Sequence, residues 1–150
     1  MTARELFEAA RQASFDLWRC DMKYNAMERR ALSLGGASDS KVASGSIRDR
    51  MGAVDAMVDY DAMMGPKVAR WCALLDFAYA VLYGDDWDHG IARSLSISHA
   101  NVLGCIYGQR MTLMETARKT HWSTRQVCNL RNEAFAYIDK VGFEAAIRGE

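Results

Sequence analysis

Proline occurs once and glycine eleven times in 150 residues. A sandwich of many short strands needs turn residues at close intervals, so this scarcity of breakers argues for helices. Long apolar runs are missing as well. No stretch of about 18 apolar residues exists, which argues against a membrane span. The opening MTARELFEAARQ carries charge where a secretion signal needs an apolar core, so a cytoplasmic location is expected. Charge of one sign is also lacking: 19 basic residues face 19 acidic ones. That balance excludes a wholesale basic protein and an acidic disordered tail, but a local basic patch remains open. The four cysteines, Cys20, Cys72, Cys105 and Cys128, never form C-x-x-C. Reduced thiols are therefore expected rather than a disulfide framework or a zinc site.

Chemistry-bearing constellations are equally sparse. His89, His99 and His121 have no nucleophile or carboxylate at a defensible spacing, so no enzyme activity and no cofactor are expected. The run GDDWDHG, Gly84–Gly90, gathers carboxylates and a histidine. Such clusters are usually caps and solvated turns, so no metal is expected there.

What is present is helical periodicity. Leu6, Ala10, Ala13, Leu17, Cys20, Tyr24, Met27, Ala31 and Leu34 alternate spacings of four and three. That is the seam of a long coiled-coil-like helix. Thr2 and Glu5 are spaced as a capping box at its start. Small polar residues from Gly35 to Ser46 predict a flexible loop. The four-three alternation then resumes at Ile47, Met51, Val54, Val58, Asp61, Gly65, Val68, Cys72, Leu75, Tyr79 and Leu82. Gly65-Pro66 predicts a kink or two closely abutted helices, because proline removes a backbone donor. Residues 1–83 thus read as a long helical hairpin, 84–97 as a connector and 98–141 as a second, all-α unit.

In that second unit Ser98 can cap a helix running to about Tyr107, with Gly108 at its end. Thr112 and Glu115 are spaced as another capping box, and Ser123 can cap a further helix. Only Thr120-His121-Trp122 lies between. A short helix, a tight turn and a longer helix make a helix-turn-helix pattern. Ala117 is small where the helices cross, Trp122 is expected to plug the gap between them, and Val127 and Leu130 face inward. Thr124, Arg125, Cys128, Asn129 and Asn132 then face outward as the expected base contacts, since Arg can bond guanine and Asn adenine. Arg110, Arg118, Lys119, Ser123 and Arg131 are the expected phosphate contacts. His121 stands where the turn usually has glycine and must tolerate a left-handed conformation or shift the turn. Thr116 and Thr120 occupy positions more often aliphatic. The competing structure is a plain helical hairpin docked on the long helices. Residues 93–140 carry seven basic and three acidic residues, the remainder twelve and sixteen. The zero net charge is therefore a basic C-terminal part balanced by an acidic one.

The stretch from Val102 to Ile138, IYGQRMTLMETARKTHWSTRQVCNLRNEAFAYI at its heart, resembles the sigma-factor region 4-like helix-turn-helix of small phage-encoded regulators. These are the ArpU/RinA-like late transcription regulators and related phage proteins of Gram-positive hosts. The long helix, small polar loop and second long helix are similar too. The resemblance implies a prophage transcription regulator that binds double-stranded DNA with a recognition helix at 123–139. For such a regulator the hairpin is expected to serve for homodimerisation or an RNA polymerase contact, and the lack of a long apolar run leaves no membrane partner expected. A small terminase-like or helical protein-interaction subunit is the alternative.

Overall fold

The computed structural model describes residues 1–35 and 44–150. The described chain is all-α: α1 (Ala3–Gly35), α2 (Ser44–Tyr83), α3 (Gly90–Ser94), α4 (Ile97–Leu103), a π-helical turn (Gly104–Gly108), α5 (Leu113–Thr120), α6 (Thr124–Val141) and α7 (Phe143–Arg148). Most of the expected Gly35–Ser46 loop, residues 36–43, lies outside the described residues. At its ends Gly35 still belongs to α1 and Ser44–Ser46 already to α2. Among the described residues no helix is long and apolar enough to cross a membrane.

The Thr2–Glu5 capping box forms: the Glu5 carboxylate accepts the Thr2 N–H at 2.7 Å, and the Thr2 hydroxyl accepts the Glu5 N–H at 3.3 Å. α2 runs through Pro66 as one helix of 40 residues. Proline leaves the Ala62 carbonyl without its helical donor, but both residues are exposed and water can replace it.

The described chain divides into two compact units. One comprises Asp16–Arg70, the middle of the two long helices. The α1 seam is as its period requires there: Leu17, Cys20, Tyr24 and Met27 are half-buried and Ala31 is buried. On α2 the seam is displaced from the expected row. Ala53, Met57, Tyr60 and Met64 are half-buried, whereas Met51, Val54 and Val58 are exposed; Val68, which belongs to the expected row, is half-buried. Two apolar rows share this helix, and period alone cannot choose between them. Lys23 Nζ sits 4.9 Å from the Tyr60 ring centre, in keeping with the Tyr60 row facing α1.

The other unit comprises Met1–Phe15 and Trp71–Glu150. Its core joins Leu6, Phe7 and Ala10 of α1 to Ala78, Val81 and Leu82 of α2 and to the buried faces of the shorter helices. Phe7, Tyr107 and Phe135 form an aromatic triangle with ring centres 5.7–5.8 Å apart. The expected division at 83, 97 and 141 therefore differs from the observed one. The outer ends of the long helices share a core with the C-terminal helices, and the supposed connector contributes buried Ile91 through α3. α7 was not anticipated, although Phe143, Ala146 and Ile147 follow Gly142 at helical spacing and pack on that core.

Candidate nucleic-acid interface

α5 begins with the expected capping box: the Thr112 hydroxyl accepts the Glu115 N–H at 3.2 Å and the Glu115 carboxylate accepts the Thr112 N–H at 2.9 Å. It ends at His121, whose φ of 59° and ψ of 25° are left-handed, the conformation the missing glycine demands. Ser123 caps α6 by accepting the Gln126 N–H at 3.1 Å. The threonines fit because their hydroxyls satisfy each other's backbone. Thr116 Oγ1 donates to the Thr112 carbonyl at 2.9 Å, and Thr120 Oγ1 donates to the Thr116 carbonyl at 2.7 Å. Thr116 and Ala117 are buried against the inner face of α6, which carries Val127, Leu130, Ala134 and Ile138.

Two local expectations change. Trp122 is not a plug: it is 41% exposed, because buried Thr116 and Ala117 already fill the helix crossing. The cap of α4 is Ser96 rather than Ser98. Its hydroxyl accepts the His99 N–H at 3.4 Å and lies 2.6 Å from His99 Nδ1. His99 Nε2 in turn meets the Glu133 carboxylate at 2.9 Å, tying α4 to α6.

Arg125, Asn129 and Asn132 lie exposed on the face of α6 opposite its buried row, and Thr124 is exposed in the first turn on the Val127 side. Cys128 is half-buried at the edge of that face. Of the basic candidates, Arg118 and Lys119 are exposed in the last turn of α5, with Lys119 Nζ donating to Gln109 Oε1 at 2.7 Å. Ser123 is exposed as the cap. Arg110 is half-buried and occupied: its guanidinium donates to Ser14 Oγ at 2.8 Å and lies 6.0 Å from the Phe15 ring centre. Arg131 does not share the outward face. It follows Val127 by four residues, which returns it to the same side of the helix. It is half-buried beside Tyr107, and its Nε is enclosed.

Tyr107 is pushed up from its ordinary value, chiefly by burial, with the Arg131 and Arg4 charges opposing. Arg4 and Arg11, not among the expected contacts, line the same groove as Arg131. Their signal is faint: they sit seven residues apart on the side of α1 away from its heptad row. At the Gly84–Gly90 turn, Asp86 accepts the Asp88 N–H at 3.1 Å and pairs with His89 at 2.8 Å. That bonding makes a carboxylate turn.

Compared with family models, curated proteins and solved structures, the chain matches none.

Proposed function

We propose that this chain is a sequence-specific, double-stranded-DNA-binding transcription regulator that reads the major groove with α6. The observation that carries the reading is the two-sidedness of α6 after a tight left-handed turn. Val127, Leu130, Ala134 and Ile138 are buried on one side, Arg125, Asn129 and Asn132 are exposed on the other, and Thr124 is exposed in the first turn. A helix held this way by α5 supports the helix-turn-helix reading, in which such residues can bond guanine and adenine edges. Cys128 offers only an apolar contact, suited to a thymine methyl. Arg118, Lys119 and Ser123 supply phosphate contacts at the same end. The prophage setting rests on the family resemblance alone.

Homodimerisation belongs to the same reading. Met51, Val54 and Val58 recur at heptad spacing and stay exposed in the Asp16–Arg70 unit. A second copy covering them would give the two-fold pair that palindromic sites need. The test is selection of bound duplexes from a random pool, followed by titration of the winner with Arg125→Ala and with Asn129→Ala. Each is expected to cost about 1–3 kcal/mol and to relax one base position. Failure to enrich any sequence would sink the reading.

A further inference from the structure

The groove lined by α1, the π-helical turn, the start of α5 and Arg131 of α6 has a cationic lining that the outward face of α6 does not use. Arg4, Glu8, Arg11 and Phe15 recur at spacings of four, three and four, so they form one stripe of α1. Tyr107 and Arg131 stand across from them, and the groove encloses about 440 Å³. Three guanidinium groups thus face one carboxylate. Among the described residues no salt bridge forms to Arg4, Arg11 or Arg131.

Arg4 and Arg11 are held by ring faces rather than by acids, and Arg131 hydrogen-bonds the Tyr107 side chain. Arg4 lies 5.7 Å from the Phe135 ring centre and Arg11 lies 5.8 Å from that of Phe15. A guanidinium stacked on a ring keeps its in-plane N–H groups free for a bidentate anion. The Nε atoms of Arg11 and Arg131 are also enclosed without a hydrogen-bond partner. Unsatisfied charged donors of this kind are costly, and an anion that re-aims the guanidinium relieves the cost.

The position of the groove selects the anion. Arg131 and Asn132 are neighbours on α6, so their side chains diverge by about 100° around the helix axis. An α-helix with its side chains is about 10–12 Å across and fills a major groove about 12 Å wide. The backbone phosphates of the duplex therefore lie beside its flanks. We infer that one strand's phosphates run along this groove of α1, held by Arg4, Arg11 and Arg131. This inference rests on the DNA-binding reading and extends its contact surface to the start of α1.

The test uses the full chain and a fluorescein-labelled random duplex of about 30 base pairs, titrated across a salt series. Arg4→Gln/Arg11→Gln is expected to lower the slope of log K against log salt by about 2, one unit per lost contact. Arg4→Lys/Arg11→Lys keeps the charges and is expected to keep the slope, which separates lost charge from lost folding. Arg118→Ala is the control on α5. A wild-type chain that binds no duplex at low salt overturns the DNA-binding reading and this inference together. Wild-type binding weakened by Arg118→Ala, with an unchanged slope for the glutamine pair, overturns this inference alone. An acidic polypeptide that needs Arg4 and Arg11, while the slope stays unchanged, has the same consequence.

Discussion

The Asp139 carboxylate accepts the backbone N–H of Ala3 at 2.7 Å across a separation of 136 residues. One carboxylate near the end of α6 thereby satisfies an orphan donor at the start of α1, where the helix dipole favours negative charge. The bond helps hold the first turn of α1, and with it Arg4, against α6. Asp139→Ala is expected to cost about 0.5–2 kcal/mol, the range for losing a helix cap. Urea denaturation should show a lower midpoint with an unchanged slope. A midpoint equal to wild type would mean that the bond contributes nothing net.

His121 takes a left-handed backbone that glycine adopts without steric cost. His121→Gly is expected to raise stability by a few tenths to about 1 kcal/mol. The relieved strain outweighs the extra freedom given to the unfolded chain. His121→Val, β-branched at positive φ, is expected to destabilise by more than that. Thermal melting of the pair should move Tm in opposite directions.

Gly90 has a φ of +69°, and a Cβ there would lie 2.5 Å from the Leu82 carbonyl carbon and oxygen. Gly104 has only the Tyr83 hydroxyl at 3.4 Å and Leu82 Cδ1 at 3.8 Å around the corresponding position. Gly90→Ala is therefore expected to lose several kcal/mol or to abolish folding, since the obstacle is helix backbone. Gly104→Ala should stay within about 1 kcal/mol of wild type. Circular dichroism and denaturation of both variants check the contrast.

Tyr83 is pushed up to about 12, first by burial and then by the Tyr79 and Cys105 charges. Its hydroxyl donates to Asn101 Oδ1 at 2.8 Å. The unfolded chain releases this proton near 10, the ordinary tyrosine value, while the folded one holds it. Stability is thus intact below about pH 10 and is lost as pH rises from about 10 toward 12. Alkaline denaturation should begin in that window and be less steep in Tyr83→Phe. An equal slope in the variant would assign the transition to another group.

Met51, Val54 and Val58 expose apolar surface at coiled-coil spacing. Met51→Lys/Val58→Lys is expected to turn a dimer into a monomer in sedimentation velocity, with helix content retained. Binding to a palindromic site should then weaken by orders of magnitude, as the second half-site loses its tether. A chain that is monomeric before substitution would remove the dimer from the proposal.

Much of the local structure is written in the sequence because caps, turns and periodicity are short-range. Thr2 with Glu5, Thr112 with Glu115 and Ser123 with Gln126 mark helix starts through bonds three residues long. The Thr120-His121-Trp122 break marks the turn, and the α1 heptad declares one buried row. The all-α class follows from these and from the single proline. Tertiary packing decided which of two apolar rows on α2 meets α1, because both have the same period and only the partner surface distinguishes them. It also decided that the outer ends of the long helices share a core with α3–α7. Finally, it turned Arg131 inward beside Tyr107 and brought it to Arg4 and Arg11. Arginines more than a hundred residues apart have no sequence signature of their meeting, since only the packing of α6 on α1 brings them together.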